Sequence, residues 1–273
     1  MDDRIRWKNG ARCAVTLTFD LDGESLWIAR DPALAERPLH MGMGAYGPRT
    51  GAPRILGVLD RYGLKAGWFI PGFIIERYPD LCREIVRRGH EVGYHGYLHE
   101  KPAALPGPEE EEAILVRTLG IFDSVLGVRP RGARVPSCDP SRHTMEILRK
   151  HGFLYHSNLM DADLPYTHKT SYGELVELPT AWVNDDWVYF AFSGSPPVGH
   201  GIRSQEDVFE IWREEFEGAY AEGGFFNLMG HPQVIGRASR MRMVERLLQH
   251  MLARPGVWIA RPHEVAEQYL SQR

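Results

Sequence analysis

Short apolar runs alternate with longer amphipathic stretches along most of the chain. The runs fall at residues 14–19 (AVTLTF), 65–70 (KAGWFI), 91–94, 132–135, 153–156, 175–178, 224–229 and 257–260, each of strand length. Between them, apolar positions recur at helical spacing over 53–62, 78–88, 109–126, 141–151, 205–222, 240–253 and 262–270. Four consecutive glutamates at 109–112 follow Pro106-Gly107-Pro108. Acids in a first turn complement the helix dipole, so this run is expected to open a helix. Strands alternating with amphipathic helices indicate parallel βα units. Seven or eight such units predict an α/β chain folded as an irregular (β/α) barrel, with functional residues on the loops at the C-terminal ends of the strands. Two stretches, 23–51 and 161–204, lack this periodicity and read as long loops, which in compact domains often form binding surfaces.

Composition narrows the class. The chain has 273 residues, a formal net charge of -4, 43% hydrophobic and 25% charged residues, within the range of globular domains. One domain spanning 1–273 is the expectation, since that length does not force two. A concentrated basic face is missing, which argues against nucleic-acid binding. No apolar run approaches the ~18–20 residues of a membrane span. The first residues, MDDRIRWKNGARCAV, are charged where a signal peptide would be apolar, so a cytoplasmic location is expected. Three cysteines (Cys13, Cys82, Cys138) with no CxxC spacing indicate neither a disulfide framework nor a cysteine zinc site.

Five segments carry candidate chemistry, and four of them close an expected strand. Thr18-Phe19-Asp20-Leu21-Asp22 ends the first strand with two carboxylates on one side of the chain, where one can bind a metal and the other take a proton. An aspartate turn leaving a strand is the plainer alternative. His95-Gly96-Tyr97-Leu98-His99 follows 91–94, and two histidines four apart on a helical turn can share a cation with one carboxylate, leaving coordination positions open. Arg134-Val135-Pro136 offers a guanidinium that would aim a carboxylate, with Arg131 as a competing candidate. Leu228-Met229-Gly230-His231-Pro232 places a histidine where it can act as a general acid to a leaving amine or sit in the core as a satisfied imidazole. Asn184-Asp185-Asp186-Trp187, in the second long loop, supplies a carboxylate that would orient His231 and raise its pKa, or would simply be solvated. Trp27, Tyr46, Trp182 and Trp187 would wall a small apolar pocket or pack ordinarily. His90 is expected to pack at a strand start, and Cys138 to be a buried inert thiol.

Taken in order, TFDLD, HGYLH, RVP, DDW and LMGHP resemble the motif set of the polysaccharide deacetylase (NodB homology) family, from about Ala14 to Ala260. The resemblance implies an irregular (β/α) barrel and hydrolysis of an amide C–N bond. It implies Asp20 as general base, steered by Arg134, and one divalent metal held by Asp22, His95 and His99. Zinc is expected first, with cobalt, nickel, iron or manganese as alternatives. The Ser137 amide would help hold the oxyanion, and His231 would be the general acid tuned by Asp186 or Asp185. The segments HMGMGAYGPRTGAPRIL, NLMDADLPY and ELPTAWVNDDW look like the intracellular branch of that family, which includes peptidoglycan deacetylases, cyclic imidases and metal-free allantoinase-type hydrolases. That branch implies a homotetramer and a small amide, cyclic imide or N-acetylated substrate, with an N-acetyl-sugar deacetylase as the runner-up. A metal-binding protein without turnover is the alternative of another class. No nucleic-acid or membrane partner is expected.

Overall fold

The structure, a computed structural model, describes residues 5–199 and 201–273, so the first four residues of the charged N-terminal stretch lie outside it. Its organising element is β1 (Cys13–Asp20), buried at every position. The other strands are β2 (Gly67–Ile70), β3 (Glu91–Tyr94), β4 (Gly132–Ala133), β5 (Tyr155–His156), β6 (Tyr166–Thr170), β7 (Gly173–Glu177), the small pair β8 (Ser193–Gly194) and β9 (Pro197–Val198), β10 (Phe225–Gly230) and β11 (Val257–Ala260). Nine of them form one sheet in the order β10-β1-β2-β3-β4-β5-β7-β6, with β11 also on β1. Every pairing in this sheet is parallel except β6 with β7.

β1 pairs along its length with β10, from Ala14↔Phe225 to Phe19↔Gly230. Its first half also meets β11 (Cys13↔Val257) and its last residues meet β2 (Asp20↔Phe69). The sheet curls into an irregular half-barrel whose edge strands, β6 and β10, form no ladder with each other. Instead the 178–191 segment comes alongside β10, where Asp185 makes an isolated parallel bridge to Met229.

The period-two rule divides β1 into two faces. Cys13, Val15, Leu17 and Phe19 enter the main apolar cluster beneath helices Ala52–Arg61, Gln205–Glu222 and Ala238–Leu252. Thr16 and Thr18 face the barrel interior, where Thr16 Oγ1 donates to Asn227 Oδ1 at 2.8 Å and Thr18 Oγ1 donates to the Leu228 carbonyl at 2.8 Å. Asp20 continues this inner face. Helix Pro108–Ile121 opens at the glutamate run as expected, and the Ser204 side chain caps Gln205–Glu222 by accepting from the Asp207 amide. No helix among the described residues is long and apolar enough to cross a membrane.

Both expected long loops are structured. Within 23–51 lie helices Ser25–Arg30 and Pro38–Tyr46, and a wide helical turn Gly47–Gly51 runs directly into Ala52–Arg61. The glycines that suggested a loop serve close packing instead. A Cβ on Gly44 would stand 2.6 Å from Glu24 Cα, and one on Gly51 would stand 2.0 Å from the Pro232 carbonyl oxygen. Within 161–204 lie the β6–β7 hairpin, the turn Trp182–Asn184, the short helix Trp187–Phe190 and β8–β9. β6 (YTHKT) is half-exposed and polar, so no apolar run announces it. A helix at Gly72–Arg77 also precedes Pro79–Arg87, where only one was expected.

Gly51→Ala should therefore lower stability by about 1–3 kcal/mol, the usual cost of overpacking. Gly57→Ala, with nothing within 4 Å of its added Cβ, should be neutral or stabilise by roughly 0.5–1 kcal/mol. Chemical denaturation of the two variants checks this, and equal midpoints would contradict the close-packing account of Gly51.

Candidate active site

The C-terminal ends of β1, β3, β4 and β10 converge on one cavity of about 190 Å³. Asp20, Asp22, His95, His99, Ser137 and His231 line it, together with Asp185. Arg134 and Asp186 stand behind this wall, each with no solvent exposure. The structure thus brings Asp20, Asp22, His95, His99, Arg134, Ser137, Asp185, Asp186 and His231 to one place. Arg131, the competitor of Arg134, pairs instead with Glu267 at 2.7 Å on the surface.

Arg134 leaves β4 and crosses beneath the cavity. Its Nη1 donates to Asp20 Oδ1 at 2.9 Å and to Thr18 Oγ1 at 3.0 Å, its Nη2 donates to Ser157 Oγ at 3.0 Å, and its Nε donates to the Ser157 carbonyl at 3.1 Å. The guanidinium also lies 4.5 Å over the Phe69 ring. A fully buried charge is tolerated only with such pairing. The result holds Asp20 by Oδ1 and leaves Oδ2 facing the cavity, 3.9 Å from His231 Nε2.

The second aspartate meets the histidine pair. Asp22 Oδ1 lies 3.2 Å from His95 Nε2 and 3.8 Å from His99 Nε2. These two histidines do not sit on a helical turn, contrary to expectation. Gly96 (φ 73°) and His99 (φ 65°) take left-handed backbone, and the loop folds around Glu100 Oε2, which accepts from the amides of Tyr97 and Leu98. His95 Nδ1 is fixed against the Arg134 carbonyl at 2.7 Å, which turns its Nε2 toward Asp22. Gln233 Nε2 donates to Asp22 Oδ2 at 3.0 Å, orienting that carboxylate.

The donor set fits a divalent cation. Asp22 Oδ1 is buried without a hydrogen-bond partner, and one ligand atom from each of Asp22, His95 and His99 lies within 4.8 Å of the others. Burial holds the His99 imidazole down at about 4 against the pull of Asp22, so it is neutral, the form that ligates. The neighbouring imidazoles, His99 foremost, overcome burial to hold Asp22 below the usual carboxylate range. Two imidazoles and one carboxylate are a common zinc donor set that keeps an open coordination position.

Across the cavity, His231 Nδ1 lies 2.6 Å from Asp186 Oδ1, and both Asp186 oxygens accept from the His231 backbone amide. Asp185 Oδ1 is farther from the ring, at 3.5 Å, and accepts from the Trp187 amide. Burial works to lower the His231 pKa, but the Asp185 and Asp186 carboxylates win and hold it well above the usual imidazole range. Burial pushes the Asp185 carboxyl up to about 7, His231 opposing and Asp186 reinforcing. The Trp187 ring lies edge-on to His231 at 5.2 Å between centroids.

Ser137 and Cys138 follow Arg134-Val135-Pro136 with consecutive left-handed φ of 60° and 50°. Such strain concentrates at functional loops. The Cys138 and Asp139 amides are taken by the carbonyls of Val135 and Pro136. Burial pushes the Cys138 thiol up to about 12 against Arg134, so it lines the cavity as an inert group. Trp182 and Trp187 wall the cavity, whereas Trp27 packs edge-on to His40 and Tyr46 lies beneath Arg237. His90 Nδ1 accepts from the Ala66 amide at the start of the β2 region. Sequence reasoning missed Ser157, Asn158 and Gln233. The first two directly follow β5, so the strand-end rule applied to 153–156 would have found them; Gln233, two residues past His231, had no such signal.

Comparison with known proteins identifies the family of the chain. Residues 45–156 match the family model of polysaccharide deacetylases. The chain is 30% identical to the peptidoglycan deacetylase of Helicobacter pylori, over 94% of this chain and 96% of that protein. It superimposes on a crystal structure from Mycobacterium smegmatis assigned to the polysaccharide deacetylases with a TM-score of 0.94 and 38% identity, covering 97% of this chain and 93% of the other. It also shares its fold with the crystal structure of the Puue allantoinase, at a TM-score of 0.88 and 21% identity over 100% of this chain and 95% of that one. The chain belongs to the polysaccharide deacetylase family, and so stands among the hydrolases of carbon–nitrogen bonds other than peptide bonds.

Proposed function

We propose that the chain is a divalent-metal-dependent amidohydrolase acting on a small amide, cyclic imide or N-acetylated compound. The cavity carries this reading. At about 190 Å³ it is smaller than the ~300–1,000 Å³ of drug-sized ligand sites, and Trp182 and Trp187 wall it where a polymer would need an open groove. Asp22, His95 and His99 would hold the cation, and their two imidazoles and carboxylate favour zinc. When bound, such a cation lowers the pKa of a water and polarises the scissile carbonyl.

The remaining work belongs to the chain. Asp20, aimed by Arg134 through Oδ1, would accept the proton of the attacking water at Oδ2. The Ser137 amide would donate to the oxygen that gains charge as the carbonyl carbon becomes tetrahedral, a contact whose loss typically costs ~10²–10³ in rate. His231, kept protonated by its two carboxylate neighbours, would hand its Nε2 proton to the leaving nitrogen. Asp186 would fix the ring through Nδ1, as the orienting carboxylate of an acid–base pair does.

A second reading rests on one observation. The Helicobacter pylori relative, alike over nearly its whole length, is named a peptidoglycan deacetylase, which points to N-acetylated sugars as the alternative substrate class.

Two experiments test the proposal. The zinc-loaded protein, assayed on succinimide-type cyclic imides beside N-acetylglucosamine oligomers with chelator controls, should open the imide ring in a chelator-sensitive way without releasing acetate. Acetate from the oligomers and inert imides would overturn the small-substrate reading in favour of the sugar deacetylase. His231→Ala should slow substrates with poor amine leaving groups by roughly 10²–10⁴-fold and activated ones far less. Equal losses across a leaving-group series would remove His231 as the acid.

A further inference from the structure

A second group of potential ligands lies behind the catalytic wall, on the opposite side of Asn158. His156 ends β5, Glu177 ends β7 directly opposite it in register, and His168 lies in β6 on the same face of the hairpin. Glu177 Oε2 stands 3.0 Å from His156 Nδ1 and 3.8 Å from His168 Nε2. One ligand atom from each of the three lies within 4.8 Å of the others. His156 and Glu177 are fully buried, while the His168 side chain is about a quarter exposed.

The polar groups in this cluster are incompletely satisfied by the protein. Glu177 Oε1 is occupied, accepting from the Asn158 amide at 2.8 Å and the Leu159 amide at 3.2 Å. Glu177 Oε2, His168 Nε2 and His156 Nε2 are buried without hydrogen-bond partners. His156 Nδ1 lies 2.9 Å from Asn158 Nδ2. Glu177 Oε2, His168 Nε2 and the His156 ring thus converge with no hydrogen bond to the carboxylate oxygen, and a cation between them, taking the Nδ1 lone pair in place of the Asn158 amide, would satisfy it. Tetrahedral zinc ligands stand roughly 3.4 Å apart, close to the two separations observed.

We propose that His156, His168 and Glu177 form a second divalent-cation site, of zinc type, separate from the catalytic trio and structural in effect. Its three ligands come from the ends of β5 and β7 and from the intervening β6, so the ion pins the hairpin to the parallel sheet. Asn158 transmits the restraint, because its Oδ1 accepts from the Val135 amide at 2.8 Å, between Arg134 and the Pro136-Ser137 turn. His168, the least buried of the three, is the position most easily removed without disturbing the core.

The test counts zinc per chain by elemental analysis after equilibrium dialysis against zinc ions alone. Wild-type protein should hold two equivalents, His168→Ala one, and Asp22→Asn/His95→Ala one. Adding His168→Ala to that double variant should bring the content to zero and lower its Tm in zinc to that of the zinc-free protein. His168→Ala holding as much zinc as wild type, or a double variant whose zinc content is unaffected by adding His168→Ala, would overturn the second site.

Discussion

A guanidinium with no solvent exposure imposes the geometry on which the rest of this molecule depends. Arg134 reaches Thr18 and Asp20 on β1 and Ser157 beyond β5, and stacks on Phe69 in β2. Four strands therefore share one charge. Breaking such a buried pair by removing a partner costs about 3–5 kcal/mol, because the group left behind is charged and dry. The arrangement fixes one Asp20 oxygen and frees the other, and it sets the path of the chain through Val135 and Pro136 into the strained turn at Ser137. The Arg134 backbone carbonyl also accepts from His95 Nδ1 and so turns that ring toward Asp22.

Around this anchor the carboxylates take different surroundings and different parts in the proposed reaction. Asp22 sits among imidazoles and is held by Gln233; Asp186 sits against His231 and its backbone amide; Asp20 is gripped from below and faces the cavity. The glycines of the 38–51 segment belong to the same design. Gly51 lets the helical backbone touch Pro232, and Gly47 comes within reach of Gln233, so the residues beside His231 are packed from behind rather than left on a free loop.

How far the sequence revealed this depends on where the information lies. Residues that end parallel strands were legible, because apolar runs closing on Asp20, His95, Arg134 and His231 place chemistry by chain order alone. The histidine pair was found for its spacing, yet its conformation was not: Gly96 and His99 adopt left-handed backbone around Glu100, a tertiary outcome that periodicity does not carry. Helix Pro38–Tyr46 was hidden because its glycines read as breakers, when close approach to Glu24 requires them. β6 was hidden because a half-exposed hairpin strand has no apolar run to show. The choice between Arg131 and Arg134, and the relative distances of Asp185 and Asp186 from His231, needed coordinates: neighbouring residues in one motif differ only in which way the backbone turns them.

The proposed mechanism turns on a separation of labour in which Asp22, His95 and His99 would bind the ion and Asp20 would move the proton. Zinc content and turnover measured together on Asp20→Asn test it most directly. The account predicts wild-type zinc content with turnover reduced by at least ~10²-fold, the smaller end of what a general base supplies. An Asp20→Asn enzyme that retains full turnover, or one that loses its zinc along with its activity, would contradict it.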